Sequence, residues 1–422
     1  MGSGKTQAAM AFMNAHPRQK FIYISPYKTD GPNVAAACPS LHFALPANIP
    51  AYSFSKTEHC RKLLERGKNI ACTHELFKRY NRDVLDIIRE QGYTLIIDEE
   101  VSVLEECDLH PDDLELLKAG GYVTDAPGGC IQPTERRYYG NAFKELFRVM
   151  ESRSLNRCGE DSEEKYFYWQ LPPDLLLAFE DVYILTFMFY CQDIRYMLDI
   201  GGITYQHIYI RRTGGGRYAF SDAPSYLPPY VAHLSEMIDI YEGENLNAVG
   251  RPQFPRECPL SMNWFSSKSD RADELRKNLI NYFAHYTDGA DSSRKMWGTY
   301  TDGPRNLLSR KGYAGGFVTF NMRGSNEYRN RDWLAYCVNI YMSPRIVTYY
   351  SRFGIEPNGD ARALSTMIQW IWRSAIRDGQ KIHIYIPSER MRGLLKAWIA
   401  EMESMARSGS WCKTEALENI AS

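Results

Sequence analysis

The sequence predicts an α/β protein built from two parallel-sheet lobes, on three observations. Short apolar runs rich in β-branched and aromatic residues recur along the chain: KFIYIS at 20–25, YTLII at 93–97, VYILTF at 182–187 and KIHIYIP at 381–387. Stretches with helical spacing separate them, the alternation that buries a parallel sheet between helices. A stretch containing Pro224, Pro228, Pro229, Pro252, Pro255 and Pro259 interrupts the series and marks a connection between lobes.

Composition bounds the reading. A chain of 422 residues has room for two or three domains, and 44% hydrophobic with 24% charged residues is ordinary for globular proteins. Disorder, collagen and coiled coil are excluded. Fifty Lys and Arg against 51 Asp and Glu give a net charge of −1, which excludes a globally basic nucleic-acid binder but not a basic cleft. The ten cysteines contain no C-x-x-C pair, which argues against a zinc ribbon or disulfide framework and for reduced thiols in a cytoplasm. The longest apolar run, 182–191, is too short for a membrane span, and Met1 is not followed by a basic and then apolar leader. A cytoplasmic protein without membrane association is expected.

Along the chain, residues 6–16 read as a helix and 20–25 as a buried strand. The polar segment between Glu100 and Asp181 reads as a mostly helical insertion, and HIYIRR-TGGG-RYAF at 207–220 as a β-hairpin. A second α/β series is expected to begin at LSMNWFS (260–266) and to run through a strand GFVTFN (316–321) and a helix at 363–378. Gly379 stands at the glycine position that closes that helix, and Ser388 at the N-cap of the last one. The expected domains are 1–200 with an insertion at about 101–180, a connection at 201–258, and 259–422.

Three motifs carry chemistry. Gly2-Ser3-Gly4-Lys5-Thr6 reads as the second half of a phosphate-binding loop. Its glycines admit backbone N–H groups to a triphosphate, Lys5 reaches the β- and γ-phosphates, and Thr6 holds magnesium at a helix start. A flexible tail is the plainer alternative. The full loop, G-x-x-x-x-G-K-[ST], puts its first glycine ahead of Met1, so the chain is expected to begin late and to lack the strand that feeds the loop. In YTLIIDEE, an apolar strand delivers Asp98 and Glu99, one acid for magnesium and one to polarise water; a solvated loop is the alternative. In Gln369-Trp-Ile-Trp-Arg373-Ser-Ala-Ile-Arg377, two arginines four apart are expected on one helix face, as an arginine finger or as a solvated surface.

The ordered set GSGKT, IIDEE, ILT, NMRGSN and QWIWRSAIR resembles the motor motifs of superfamily 2 DEAD/DEAH-type helicases, in particular the helicase-like proteins of phages and mobile elements. The likeness runs from Met1 to about Trp398. It implies two RecA-like domains of the P-loop NTPase class, the first without its N-terminal strand, that sandwich ATP and bind nucleic acid. Gly2, Ser3, Gly4, Lys5 and Thr6 would bind ATP, and Thr6 and Asp98 would hold Mg²⁺. Catalysis would rest on Lys5, Asp98, Glu99, Gln369, Arg373 and Arg377. Thr73, His74, Asn321, Arg323 and Asn326 would touch nucleic acid, and Thr186 would couple the two events. DNA, single-stranded or forked, is the implied partner, with replication proteins beside it, in a bacterial or phage-infected cell. The chain departs from the family in reading DEEV, in lacking the Ser-Ala-Thr pattern around Thr186, and in spacing its arginines by four. Two rivals stand beside a motor: a packaging ATPase of the terminase kind, which needs a downstream cluster of metal-binding acids, and a non-motor replication protein with degenerate motifs. Trp370 and Trp372 serve a core or a base-stacking platform, and the Arg211, Arg212 and Arg217 hairpin a wedge or a solvated turn.

Overall fold

Four apolar segments build the sheet that positions the candidate site. The computed structural model describes residues 3–158, 166–266, 270–301, 303–322 and 327–409. Helix α1 (Lys5–Ala15) leads into β1 (Lys20–Ser25), which lies between β2 (Ile70–Thr73) and β3 (Tyr93–Asp98), all parallel. Burial on both faces explains why β1 and β3 read as unbroken apolar runs rather than alternating ones. A helix over Arg82–Gln91 feeds β3: Asn81 caps its first turn, and Gly92 at φ +65° reverses the chain into Tyr93.

The insertion corrects the sequence expectation. It was expected to be mostly helical, but β4 (Leu104–Cys107), β5 (Val123–Ala126), β6 (Cys130–Pro133), β7 (Ser154–Cys158) and β8 (Tyr166–Gln170) form an antiparallel sheet, ordered β4-β8-β7-β6-β5. Helices over Pro111–Ala119 and Lys144–Met150 accompany it. Strands of four or five residues such as VTDA and CIQP are too short and too polar to stand out by periodicity. They hold together by burying Leu114, Val123, Ile131, Leu155 and Phe167 in one cluster.

Strand β9 (Asp181–Leu185) then returns to the parallel sheet beside β3, giving the order β2-β1-β3-β9 with Asp98 level with Leu185. Helix α2 (Asp193–Ile200) follows. The expected hairpin is present as β10 (Tyr209–Arg212) and β11 (Tyr218–Ser221) around Gly214–Gly216. It packs with the first lobe, where Phe220 stacks on Tyr183 at 5.4 Å between ring centroids. The chain divides after Asp222: Gly4–Asp222 with Ser343–Pro357 make one unit, and Ala223–Met342 with the chain from Asn358 make the other.

The second unit carries another parallel sheet, β12 (Ile238–Ile240), β13 (Lys295–Gly298), β14 (Trp333–Tyr336) and β15 (Ile382–Tyr385), in the order β12-β15-β14-β13. Its series therefore opens at Ile238, inside the stretch expected to be a connection, and LSMNWFS contains a short helix over Met262–Ser266. The expected strand at 316–321 reduces to one bridge between Phe317 and Trp297. A turn over Ala314–Gly316 precedes it, with Gly316 pressed on the Lys295 carbonyl, so the run meets β13 at one point only. Helix α3 (Gly359–Ile371) and helix α4 (Glu389–Ser408) are capped by Asn358 and Ser388 through their side chains. The nine described cysteines are free thiols, and no helix among the described residues is long and apolar enough to cross a membrane.

Candidate active site

Gly4 opens the site because it must be glycine. Its φ of +81° lies in the left-handed region, and the ring of Tyr218 stands 2.5 Å from where a Cβ would project. Lys5 and Thr6 occupy the first turn of α1, where free backbone N–H groups and the helix dipole favour an anion. From there Thr6 Oγ1 donates to Asp98 Oδ2 at 2.9 Å, across 92 residues of sequence. Tyr23, on the neighbouring strand β1, donates its hydroxyl to the same oxygen at 2.5 Å.

Parallel register explains the convergence. Strands β1, β3 and β9 all end on one edge of the sheet, with Ile24 level with Ile97 and Asp98 level with Leu185. Side chains at these carboxyl ends therefore meet, as ligand sites of parallel sheets do. Asp98 is largely buried, and desolvation pushes its carboxyl above the usual range, with the Glu99 charge adding to the rise. The Tyr23 and Thr6 hydrogen bonds and the Lys5 charge pull it back down. Burial, then the Asp98 charge, hold the Tyr23 phenol protonated as a donor. Glu99 takes φ +63°, a left-handed conformation that costs a non-glycine residue about 1 kcal/mol, while its N–H bonds the Leu185 carbonyl at 3.1 Å. Strain of this kind at a strand end turns the second acid out of the sheet.

The donor set fits a hard cation. One carboxylate and one hydroxyl beside a helix N-terminus match Mg²⁺, which keeps several waters and takes few protein ligands. The third acid of the run has a different task. Glu100 is buried and accepts the Asp193 N–H at 3.0 Å, capping α2, while Asp193 Oδ1 accepts the Tyr350 hydroxyl at 3.0 Å.

The remaining expected site residues lie at the end of β2, in the second unit, or outside the described residues. Thr73 and His74 are buried at the end of β2, and His74 Nε2 donates to the Asp98 carbonyl at 3.1 Å, tying β2 to the end of β3. In the second unit, Asn321 sits exposed in a turn; Gly2, Arg323 and Asn326 lie outside the described residues. The paired arginines do not share a helix face. Helix α3 stops at Ile371 because the buried Ser374 hydroxyl takes the Ile371 carbonyl at 2.6 Å and the Ala375 N–H turns to Arg331 at 2.9 Å. Arg373 is left 3% exposed, whereas Arg377 follows on a separate turn over Ala375–Asp378, open to solvent. Gln369 is buried and donates to Ser365 Oγ at 3.2 Å.

Sequence reasoning missed Tyr23 and Tyr218. A phenol inside an otherwise apolar strand was a signal for Tyr23, since a buried hydroxyl needs a partner. Nothing local marked Tyr218, whose contact with Gly4 is tertiary.

The chain is 33% identical over 407 residues to the SPbeta prophage-derived uncharacterized protein YonV of Bacillus subtilis (strain 168), covering 94% of this chain and 97% of that protein. The chain belongs to the YonV family. A family model described as the YonV C-terminal Rossmann-like domain matches residues 232–399, a span that contains β12 through β15. Solved structures named XPD_Helicase and XPD_APO are similar at TM-scores of 0.47 and 0.45, with 11% and 12% identity. They cover 94% of this chain, and 93% and 94% of theirs.

Proposed function

We propose that this YonV-family chain is an ATP-dependent DNA helicase or translocase of superfamily 2, working in phage or mobile-element replication or recombination. The prophage origin in the name of its Bacillus relative is in keeping with that setting. The observation that carries the reading is the 2.9 Å hydrogen bond from Thr6 to Asp98, which joins the Gly4-Lys5-Thr6 helix start to the acid at the strand end.

In this reading the N–H groups at the start of α1 and the Lys5 ammonium bind the β- and γ-phosphates of ATP. Thr6 and Asp98 would hold Mg²⁺, which supplies charge neutralisation on the phosphate oxygens. Tyr23 keeps Asp98 oriented and, by donating to it, favours its ionised form. Glu99, turned out of the sheet, polarises the attacking water. Motif likeness alone assigns Gln369, Arg373 and Arg377 to hydrolysis, and Thr73, His74, Asn321, Arg323 and Asn326 to nucleic acid. DNA would be held through phosphates, so binding should weaken steeply with salt.

The burial of Arg373 favours a second reading, a non-motor replication protein that binds nucleotide without efficient turnover. ATP turnover measured in parallel with single-stranded DNA, duplex DNA and RNA separates the two. Turnover stimulated by single-stranded DNA supports the motor; ATP binding with no turnover under any of these conditions supports the second reading.

A further inference from the structure

We propose that Tyr350 is a positioning residue for ATP hydrolysis, which holds Glu99 in its left-handed conformation through Asp193 and Glu100. This role rests on the assignment of Glu99 to the attacking water. A non-glycine residue keeps such a conformation only where its surroundings over-determine it. At Glu99, with φ +63°, one side of the clamp is the bond from its own N–H to the Leu185 carbonyl at 3.1 Å. The other side is the next residue, Glu100, whose buried carboxylate accepts the Asp193 N–H at 3.0 Å. Asp193 is held in turn. Its Oδ1 accepts the Tyr350 hydroxyl at 3.0 Å, and the Tyr350 ring lies edge-on to Tyr196 of α2 at 4.9 Å between centroids. Tyr350, Asp193 and Glu100 are all buried, so bulk water does not stand in for a lost bond, and loss of one link loosens the next.

The helix that carries Tyr350, Pro344–Ser351, depends on docking for its order. It has eight residues, with the β-branched Ile346, Val347 and Thr348 in a row, and a helix of that length and composition does not hold in water by itself. Tyr349 and Tyr350 stand about 100° apart around it, and both are buried, so they meet different partners. Tyr349 is aimed at the insertion: its hydroxyl donates to Gln170 Oε1 on β8 at 2.9 Å, and its ring lies 5.5 Å from that of Tyr168. Arg352 adds a bond to the Arg157 carbonyl at 2.6 Å. Tyr350 is aimed at Asp193 and so at the acids after β3. In sequence the helix falls between β14 and α3, elements of the other unit, although Ser343–Pro357 packs with Gly4–Asp222. Chain from the second half of the sequence thus steadies an acid of the first, by a hydrogen bond that spans 157 residues.

The two neighbouring phenols supply a matched test, since each change to Phe removes one equally buried hydroxyl from the same helix. ATP turnover of the 422-residue chain is measured with and without single-stranded DNA. Tyr350→Phe should lower kcat about tenfold and leave the KM for ATP within about twofold of wild type, because Lys5, Thr6 and Asp98 stay in place. Tyr349→Phe should leave kcat within about twofold while melting at a temperature similar to that of Tyr350→Phe. Asp193→Ala should lower kcat as Tyr350→Phe does, and the double variant should be no slower than either single one, as residues acting in series are non-additive. Hydrogen exchange of the amides over 99–101 should quicken in Tyr350→Phe and not in Tyr349→Phe. If wild type turns over ATP and Tyr350→Phe matches it, the proposal is overturned and the nucleotide reading stands. Equal losses from both tyrosines, or additive losses in the double variant, would overturn it in the same way. A wild type without turnover under either condition would overturn the hydrolytic role of Glu99 and this proposal with it.

Discussion

The end of β3 and the stretch after α3 were both read from sequence as parts of one catalytic apparatus, and they fold by opposite rules. At the end of β3, residues far apart in sequence converge: Thr6, Tyr23 and Asp98 share hydrogen bonds because parallel strands terminate on one edge. After α3, two residues four apart diverge: Arg373 is buried and Arg377 exposed, because Ser374 ends the helix between them. Parallel topology aims side chains at a point regardless of sequence distance. Helical spacing does so only while the helix continues.

The largest expected effects fall on the converging region. Lys5→Ala and Glu99→Gln should each lower DNA-stimulated ATP turnover by about 10² or more, while Glu99→Gln still binds ATP because Lys5 and Asp98 remain. Equal turnover by wild type and Glu99→Gln would remove the hydrolytic acid from the account.

The diverging pair should separate in kind. Arg377→Ala is expected to cost turnover, by about 10³ if it acts as a finger, with the melting temperature unchanged. Arg373→Ala is expected to lower the melting temperature, since it empties a buried position. Losses in turnover from both with no change in melting would restore the shared-face reading.

Tyr23→Phe tests whether convergence matters chemically. Removing the donor to Asp98 should raise the Mg²⁺ concentration needed for half-maximal turnover by about tenfold, with the fold intact. An unchanged Mg²⁺ requirement would reduce Tyr23 to packing.

The smallest effect concerns stability. Asp98 has its folded pKa raised above the unfolded value by desolvation first and then by Glu99, so its charge opposes folding at neutral pH. That penalty is complete above the folded pKa and vanishes below the unfolded one. In chelator, Asp98→Asn should therefore melt a few degrees above wild type near pH 7, and the gap should close as pH falls into the carboxylate range. A gap that widens on acidification would contradict the sign.

Legibility followed the same divide. The runs KFIYIS and YTLII gave two strands of the first sheet because burial on both faces leaves an apolar signature, and VYIL, only half-buried, gave a third through its β-branched and aromatic residues. The glycine-lysine-threonine and paired-acid motifs pointed to the residues that meet, but Tyr23 and Tyr218 needed the fold. Strands KMWG and WLAY of the second sheet were missed because neither sits in a longer alternating run such as KIHIYIP, and QWIWRSAIR misled because the helix ends at Ile371, where the Ser374 hydroxyl takes the Ile371 carbonyl and the Ala375 N–H turns to Arg331. The insertion hid its sheet because strands such as VTDA and CIQP are short and polar.

The most direct test of the account is a titration of ATP into the chain with Mg²⁺ and with chelator, for wild type and Asp98→Asn. If Thr6 and Asp98 form one metal-nucleotide site, Mg²⁺ should tighten ATP binding by about tenfold or more in wild type and by little in Asp98→Asn. The same Mg²⁺ dependence in both proteins would contradict it.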